Sequence, residues 1–194
     1  MMGQQAQPSS NRSSRNAIQL LTADHEKVSK IFDQYRKLKD SASNEEKRAL
    51  VMQACNELSV HAQIEEEIFY PAMSAMQDAK DLLDEAKVEH TSIKTLVTDL
   101  ELMSPGDELY DAKFTVLAEY VMHHVKEEQD EIFPMAKKSG MDLDRLGEEL
   151  TQRKQVLAAQ YEIEMEQEQP DEAPHARKTK RTRSASANHK SAHH

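Results

Sequence analysis

His61-Ala-Gln-Ile-Glu65-Glu-Glu-Ile-Phe-Tyr-Pro71 and His124-Val-Lys-Glu-Glu128-Gln-Asp-Glu-Ile-Phe-Pro134 are two copies of one pattern. In each, a histidine is followed four residues on by a glutamate and ten residues on by a proline, with acidic residues between. On a helix, side chains four residues apart stand one turn above each other, so each copy offers an imidazole and a carboxylate on one face. A second pair repeats alongside. Asp24-His25 with Val28, Phe32 and Tyr35 is matched by Glu89-His90 with Ile93, Val97 and Leu100. The order His, His-x-x-x-Glu, His, His-x-x-x-Glu is a half-site written twice, which predicts a two-fold-like helical bundle with a shared centre.

Composition agrees with helix. The 194 residues include four glycines and no tryptophan, and straight-chain residues that lose little rotamer freedom in a helix are abundant. The length suits one all-α domain with tails. A net charge of −10 argues against generic nucleic-acid binding by the whole body. Cys55 is the single cysteine, so no intramolecular disulfide can form and a reducing, cytoplasmic setting is expected. No apolar run reaches the length of a membrane span.

Residues 1–13 are expected to form a flexible polar leader and residues 14–138 a four-helix bundle. The first helix is predicted over Ser14–Lys39, with Ile18, Leu21, His25, Val28, Phe32 and Tyr35 at alternating spacings of three and four. Ser43 and Glu46 have the form of a capping box opening the second helix, whose stripe Val51, Ala54, Leu58, His61, Glu65 and Ile68 runs to Pro71. Pro71 is expected to end or kink that helix. Leu83, Ala86, His90, Ile93, Val97 and Leu100 mark the third. Phe114, Leu117, Val121, His124 and Glu128 mark the fourth, with a stop or kink near Pro134. An accessory helix is predicted over 142–166, either packed outside the bundle or used in self-association as a homodimer. Residues 167–194 read as a disordered basic tail, suited to a salt-sensitive contact with an acidic partner.

His25, His61, Glu65, His90, His124 and Glu128 occupy positions where core leucines would otherwise stand. Burying such groups without partners costs several kcal/mol per ionised group, comparable with the whole stability of a domain, about 5–15 kcal/mol. A buried polar network that only sets helix register is one way to hold them. Metal ions are the other, and imidazole with carboxylate suits iron, manganese or zinc. Two metals bridged by Glu65 and Glu128, each with two imidazoles, would retain open positions for an oxo or hydroxo bridge and for a small ligand. The repeat alignment selects His124 over its neighbour His123, which is expected to be exposed or to support a ligand. Glu66, Glu67, Glu127, Asp130 and Glu131 are expected on a solvated face or as acceptors behind the ligands.

With those residues in this order, the chain resembles the hemerythrins, and in particular the hemerythrin-like HHE cation-binding proteins, over about Ala17–Lys138. The resemblance implies an up-down bundle holding a non-haem di-iron centre. His25 and His61 would then serve one iron, His90 and His124 the other, and Glu65 and Glu128 would bridge. It departs from the oxygen carriers in two ways: they place a further histidine where this chain has Lys94, and they space the last carboxylate five residues from its histidine rather than four. The lost imidazole argues against reversible oxygen carriage without removing the di-iron assignment. Three readings follow: a di-iron protein that binds or senses oxygen, peroxide or nitric oxide, with slow peroxide decomposition; a non-enzymatic iron-responsive interaction module; and a structural bundle without metal.

Overall fold

A computed structural model describes residues 15–168. Helix α1 (Ala17–Leu38) opens on a capping box in which the Asn16 side chain accepts from Gln19 N–H and the Gln19 side chain accepts from Asn16 N–H. The helix starts later than Ser14 because Asn16 supplies the cap. Helix α2 (Asn44–Ile64) opens on the Ser43–Glu46 box, as its sequence predicts. Both boxes satisfy amide groups that the first turn leaves without a partner.

Neither Pro71 nor Pro134 ends its helix. After α2 the chain makes a π-helical turn over Glu65–Phe69 and continues as α3 (Tyr70–Met73), where Pro71 sits in the first turn. Helix α4 (Lys80–Leu102) follows, then α5 (Tyr110–Glu127). A second π-helical turn, Glu128–Ile132, leads into α6 (Phe133–Lys138), with Pro134 again in the first turn. The wide turn moves away the carbonyl that a proline ring would strike in a regular helix, and the missing proline N–H is tolerated at the start of the next segment. Tyr70 N–H and Phe133 N–H reach back five residues, to the carbonyls of Glu65 and Glu128.

Helices α1, α2, α4 and α5 form the up-down bundle, α1 against α2 and α5, and α4 against α2 and α5. Two apolar clusters fill it. One contains Val28, Phe32, Leu58, Val97 and Phe114, and the other Leu21, Ile64, Phe69, Ile132 and Phe133. Between them lies a layer of seven buried polar residues: Asp24, His25, His61, Glu65, His90, His124 and Glu128. The core is thus cut in two by the residues that repeat in the sequence.

Helix α7 (Leu143–Glu168) is the additional C-terminal helix. It packs outside the bundle on α1, α2 and the first π turn, burying Leu146, Leu150 and Leu157. Arg153 pairs with Glu67 and Lys154 with Asp24. Among the described residues no helix is long and apolar enough to cross a membrane. The expected leader, 1–13, lies outside the described residues, as does the basic tail beyond Glu168.

Gly147 sets how closely α7 approaches α1. A Cβ there would stand 2.3 Å from Arg15 O, 2.7 Å from Asn16 C and 2.8 Å from Ala17 N. These are backbone atoms and cannot rotate away. Gly147→Ala is expected to lose roughly 1–3 kcal/mol in thermal or urea unfolding despite its better helix propensity. A variant as stable as the parent would rule out this docking of α7.

Candidate metal centre

The six seam residues come together in one layer. His25 and His61 project from α1 and α2, with Nε2 atoms 3.0 Å apart. His90 and His124 do the same from α4 and α5, also at 3.0 Å. Glu65 Oε2 lies between the pairs, 3.2 Å from His61 Nε2 and 3.5 Å from His90 Nε2. Glu128 Oε2 lies 3.2 Å from His25 Nε2 and 3.6 Å from His124 Nε2. Each carboxylate therefore stands against one imidazole of each pair.

Three of their four outer nitrogens are hydrogen-bonded from behind, and that of His61 faces Asp24 beyond hydrogen-bond range. His124 Nδ1 lies 2.7 Å from Glu89 Oε2, His90 Nδ1 2.9 Å from Glu66 Oε1 and His61 Nδ1 3.6 Å from Asp24 Oδ2. His25 Nδ1 meets the Gln129 amide at 3.3 Å. A carboxylate acceptor at Nδ1 selects the tautomer with its proton there and directs the Nε2 lone pair inward. Lone pairs facing at 3.0 Å repel unless a cation or a proton lies between them.

Electrostatics push the same way. Burial lowers His61 and, with the charge of His124, brings His90 down to about 4, so both are neutral at pH 7. Burial and the charge of Glu128 hold Glu65 well above the ordinary carboxylate range. Burial also raises Glu128, but the His25 bond and the nearby imidazoles outweigh it and hold it down to about 2. Both oxygens of Glu65, as well as Glu128 Oε2, are buried without a hydrogen-bond partner.

That donor set fits a pair of cations. Nitrogen and oxygen ligands bound at about 2.0–2.2 Å to one ion stand about 3.0–3.6 Å from each other, the range of the six separations above. Two buried groups have ligand atoms that all lie within 4.8 Å of one another, His25 with His61, Glu65 and Glu128, and Glu65 with His90 and His124.

Tyr70 is the component that sequence reading missed. Its hydroxyl donates to Glu128 Oε1 at 2.9 Å and stands 3.4 Å from His90 Nε2. Burial, then the charge of Glu65, raises its phenol well above the usual range, so it stays a donor. Its counterpart in the second half is Phe133, stacked 5.7 Å from His25 with no hydroxyl to offer. The available signal was the last of three differences between Ile-Phe-Tyr-Pro71 and Glu-Ile-Phe-Pro134, Tyr70 against Phe133. Gln129 was likewise signalled only by following a repeat glutamate. Lys94 points outward and pairs with Glu66 at 2.6 Å, while His123 is exposed. Cys55 is buried, which raises its thiol to about 12 and leaves it unreactive.

An up-down bundle with imidazoles and carboxylates meeting at its centre defines a helical metal-binding protein. The hemerythrin HHE cation-binding domain matches residues 16–136, and the chain belongs to this family, whose members bind metal cations, typically iron. A hemerythrin HHE cation-binding domain-containing protein from Mycobacterium kansasii shares the fold with a TM-score of 0.67 and 24% identity. That match covers 79% of this chain and 94% of the other. A DNA nickase from Nostoc sp. is 27% identical over 127 residues, 64% of this chain; the chain spans about a third, 34%, of that relative.

Glu65 provides a pH test on the metal-free protein. Its folded value lies above its unfolded one, so below the ordinary value of 4.5 its contribution is at its most favourable. As pH rises from there towards the raised folded value, the unfolded chain releases the proton first and stability falls. Glu65→Gln should remove this loss, gaining on the parent by up to about 1.4 kcal/mol per pH unit across that window. Urea titrations at several pH values read the difference, and a gap that is flat or shrinks with pH contradicts the assignment.

Proposed function

We propose that the chain holds two iron ions and uses them to bind or sense a small oxidant or ligand such as oxygen, peroxide or nitric oxide, with slow peroxide decomposition. The observation that supports it most is the convergence of four Nε2 atoms on two buried carboxylates. His25 and His61 would hold one ion and His90 and His124 the other, with Glu65 and Glu128 between them. Bound iron supplies electron transfer and an exchangeable position for a small molecule.

The chain's own groups perform the remaining tasks. Glu66, Glu89 and the Gln129 amide orient His90, His124 and His25, and Asp24 places a carboxylate beside His61. Val28, Leu58, Ile93, Val121 and Val125 line a cavity of about 20 Å³ beside the histidines, room for a molecule no larger than a water or a diatomic. Tyr70 keeps a proton on a buried oxygen next to Glu128 and His90, where it can be donated in a hydrogen bond. Lys94 supplies no ligand and instead clamps Glu66, which leaves one fewer imidazole than an oxygen carrier would use.

A second reading, an iron-responsive interaction module, draws on the pairing of Lys154 and Arg153 of α7 with Asp24 and Glu67. Metal occupancy at His61 would then be felt by α7 through Asp24. The two readings part on turnover, since a module needs none. A supercoiled plasmid in the same assays reads whether the DNA activity named for the Nostoc relative extends to this chain.

Freshly purified protein is expected to contain about two iron atoms per chain. His61→Ala with His124→Ala should empty the centre, and His123→Ala should leave it filled; full loading of the double variant would reject the assignment. The reduced protein exposed to oxygen, and peroxide loss in the parent and in Lys94→His, decide the chemistry. Slow peroxide loss without a long-lived adduct is expected. An adduct that releases oxygen under vacuum, with no peroxide loss, would make oxygen binding the function instead.

A further inference from the structure

One residue before His124-x-x-x-Glu128, α5 carries a second motif of the same spacing, His123-x-x-x-Glu127. A helix turns about 100° per residue, so this copy faces away from the core towards solvent. Its His123 Nε2 lies 3.1 Å from Glu127 Oε1 and 3.6 Å from Glu89 Oε1 on α4. The longer separation is outside hydrogen-bond range for a nitrogen and an oxygen. Both separations fall in the range of about 3.0–3.6 Å expected of atoms that ligate one cation at about 2.0–2.2 Å. All three candidate ligand atoms lie within 4.8 Å of one another.

Glu89 belongs to both sites. Its Oε2 accepts from His124 Nδ1 at 2.7 Å while its Oε1 faces His123. We propose that Glu89, His123 and Glu127 form an outer, exchangeable divalent-cation site, coupled through the Glu89 carboxylate to His124 of the buried centre. One imidazole and two carboxylates select a borderline cation such as zinc or ferrous iron, with water completing the shell. The side chains of His123, Glu127 and Glu89 are 64%, 31% and 20% exposed, so the ion enters from solvent and leaves readily. A cation on Oε1 draws electron density from the carboxylate that supports His124. That weakens the push on the imidazole and changes the iron bound to it. The coupling rests on the iron centre proposed above, whereas the outer site stands on its own geometry.

The full-length protein is first loaded with iron and its iron content measured, so failure of the buried centre appears as missing iron. Zinc is then titrated against a chromophoric chelator near pH 7.5 in the parent, His123→Ala and Glu127→Gln. Histidines near the C-terminus contribute equally to all three chains. The parent is expected to bind one more equivalent than either variant, or to bind it at least about tenfold more tightly. Zinc should also displace the near-ultraviolet charge-transfer band of the iron-loaded parent and leave that of His123→Ala unmoved. Identical titrations in the three proteins overturn the site. A band unmoved by zinc in the parent, or moved equally in His123→Ala, overturns the coupling.

Discussion

Imidazole nitrogens facing one another at 3.0 Å are the constraint on which this bundle depends. With the Nδ1 protons of His90 and His124 held by Glu66 and Glu89, their Nε2 lone pairs have nowhere to point but at each other and at Glu65 and Glu128. A hydrophobic bundle of the same shape would be easier to fold, because it avoids desolvating six polar groups. Protonation is the remedy open to the metal-free chain, and burial beside Glu128 favours keeping a proton on Glu65. A cation removes the need for that proton. Metal affinity and folding therefore draw on the same free energy, and protons leave as metal enters.

The π turns are how a helix serves this centre without losing its register. A regular helix separates neighbouring side chains by about 100°, so a glutamate aimed at the centre would send its successor towards solvent. Each wide turn begins at a seam glutamate, and the next residue still reaches a seam histidine: Glu66 meets His90 and Gln129 meets His25. Such turns are unstable in isolation and recur at functional sites. Here the proline six residues after each glutamate is compatible with the wide turn and unfavourable in a regular one. The prolines that looked like helix terminators mark the point where the helix is widened instead.

What was legible in the residues and what was not divides along this line. The bundle and its four main helices followed from apolar spacings, because period and caps are local properties. Repetition in phase with those stripes drew attention to the six seam residues, and the fold brings them together; which imidazoles stand together came from the family resemblance and not from spacing. Glu66 supports a histidine 24 positions away and Gln129 one 104 positions away, distances over which no spacing rule operates. Lys154 reaches Asp24 from a helix whose stripe looked irregular. That irregularity reflects α7 touching the bundle on one narrow side, with Leu146, Leu150 and Leu157 inward and Val156 exposed.

Duplication made the halves alike, and the differences between them fall at the centre. On one side His90 is backed by the carboxylate of Glu66, itself fixed by Lys94, and stands beside the Tyr70 hydroxyl. On the other His25 is backed by the neutral Gln129 amide and covered by the flat face of Phe133. A carboxylate accepts from Nδ1–H and keeps the proton on that nitrogen, whereas the Gln129 amide nitrogen donates to His25 Nδ1, and a phenol offers a proton where a phenyl ring offers none. Two cations in this layer would therefore differ in charge donation and in hydrogen bonding although their direct ligands are nearly the same. The Tyr70 side has a carboxylate-backed imidazole and the only buried hydroxyl among these groups, whereas the Phe133 side has an amide and a phenyl ring in those places. A ligand that needs a hydrogen-bond donor would find one on the Tyr70 side, where the other half offers the phenyl ring of Phe133.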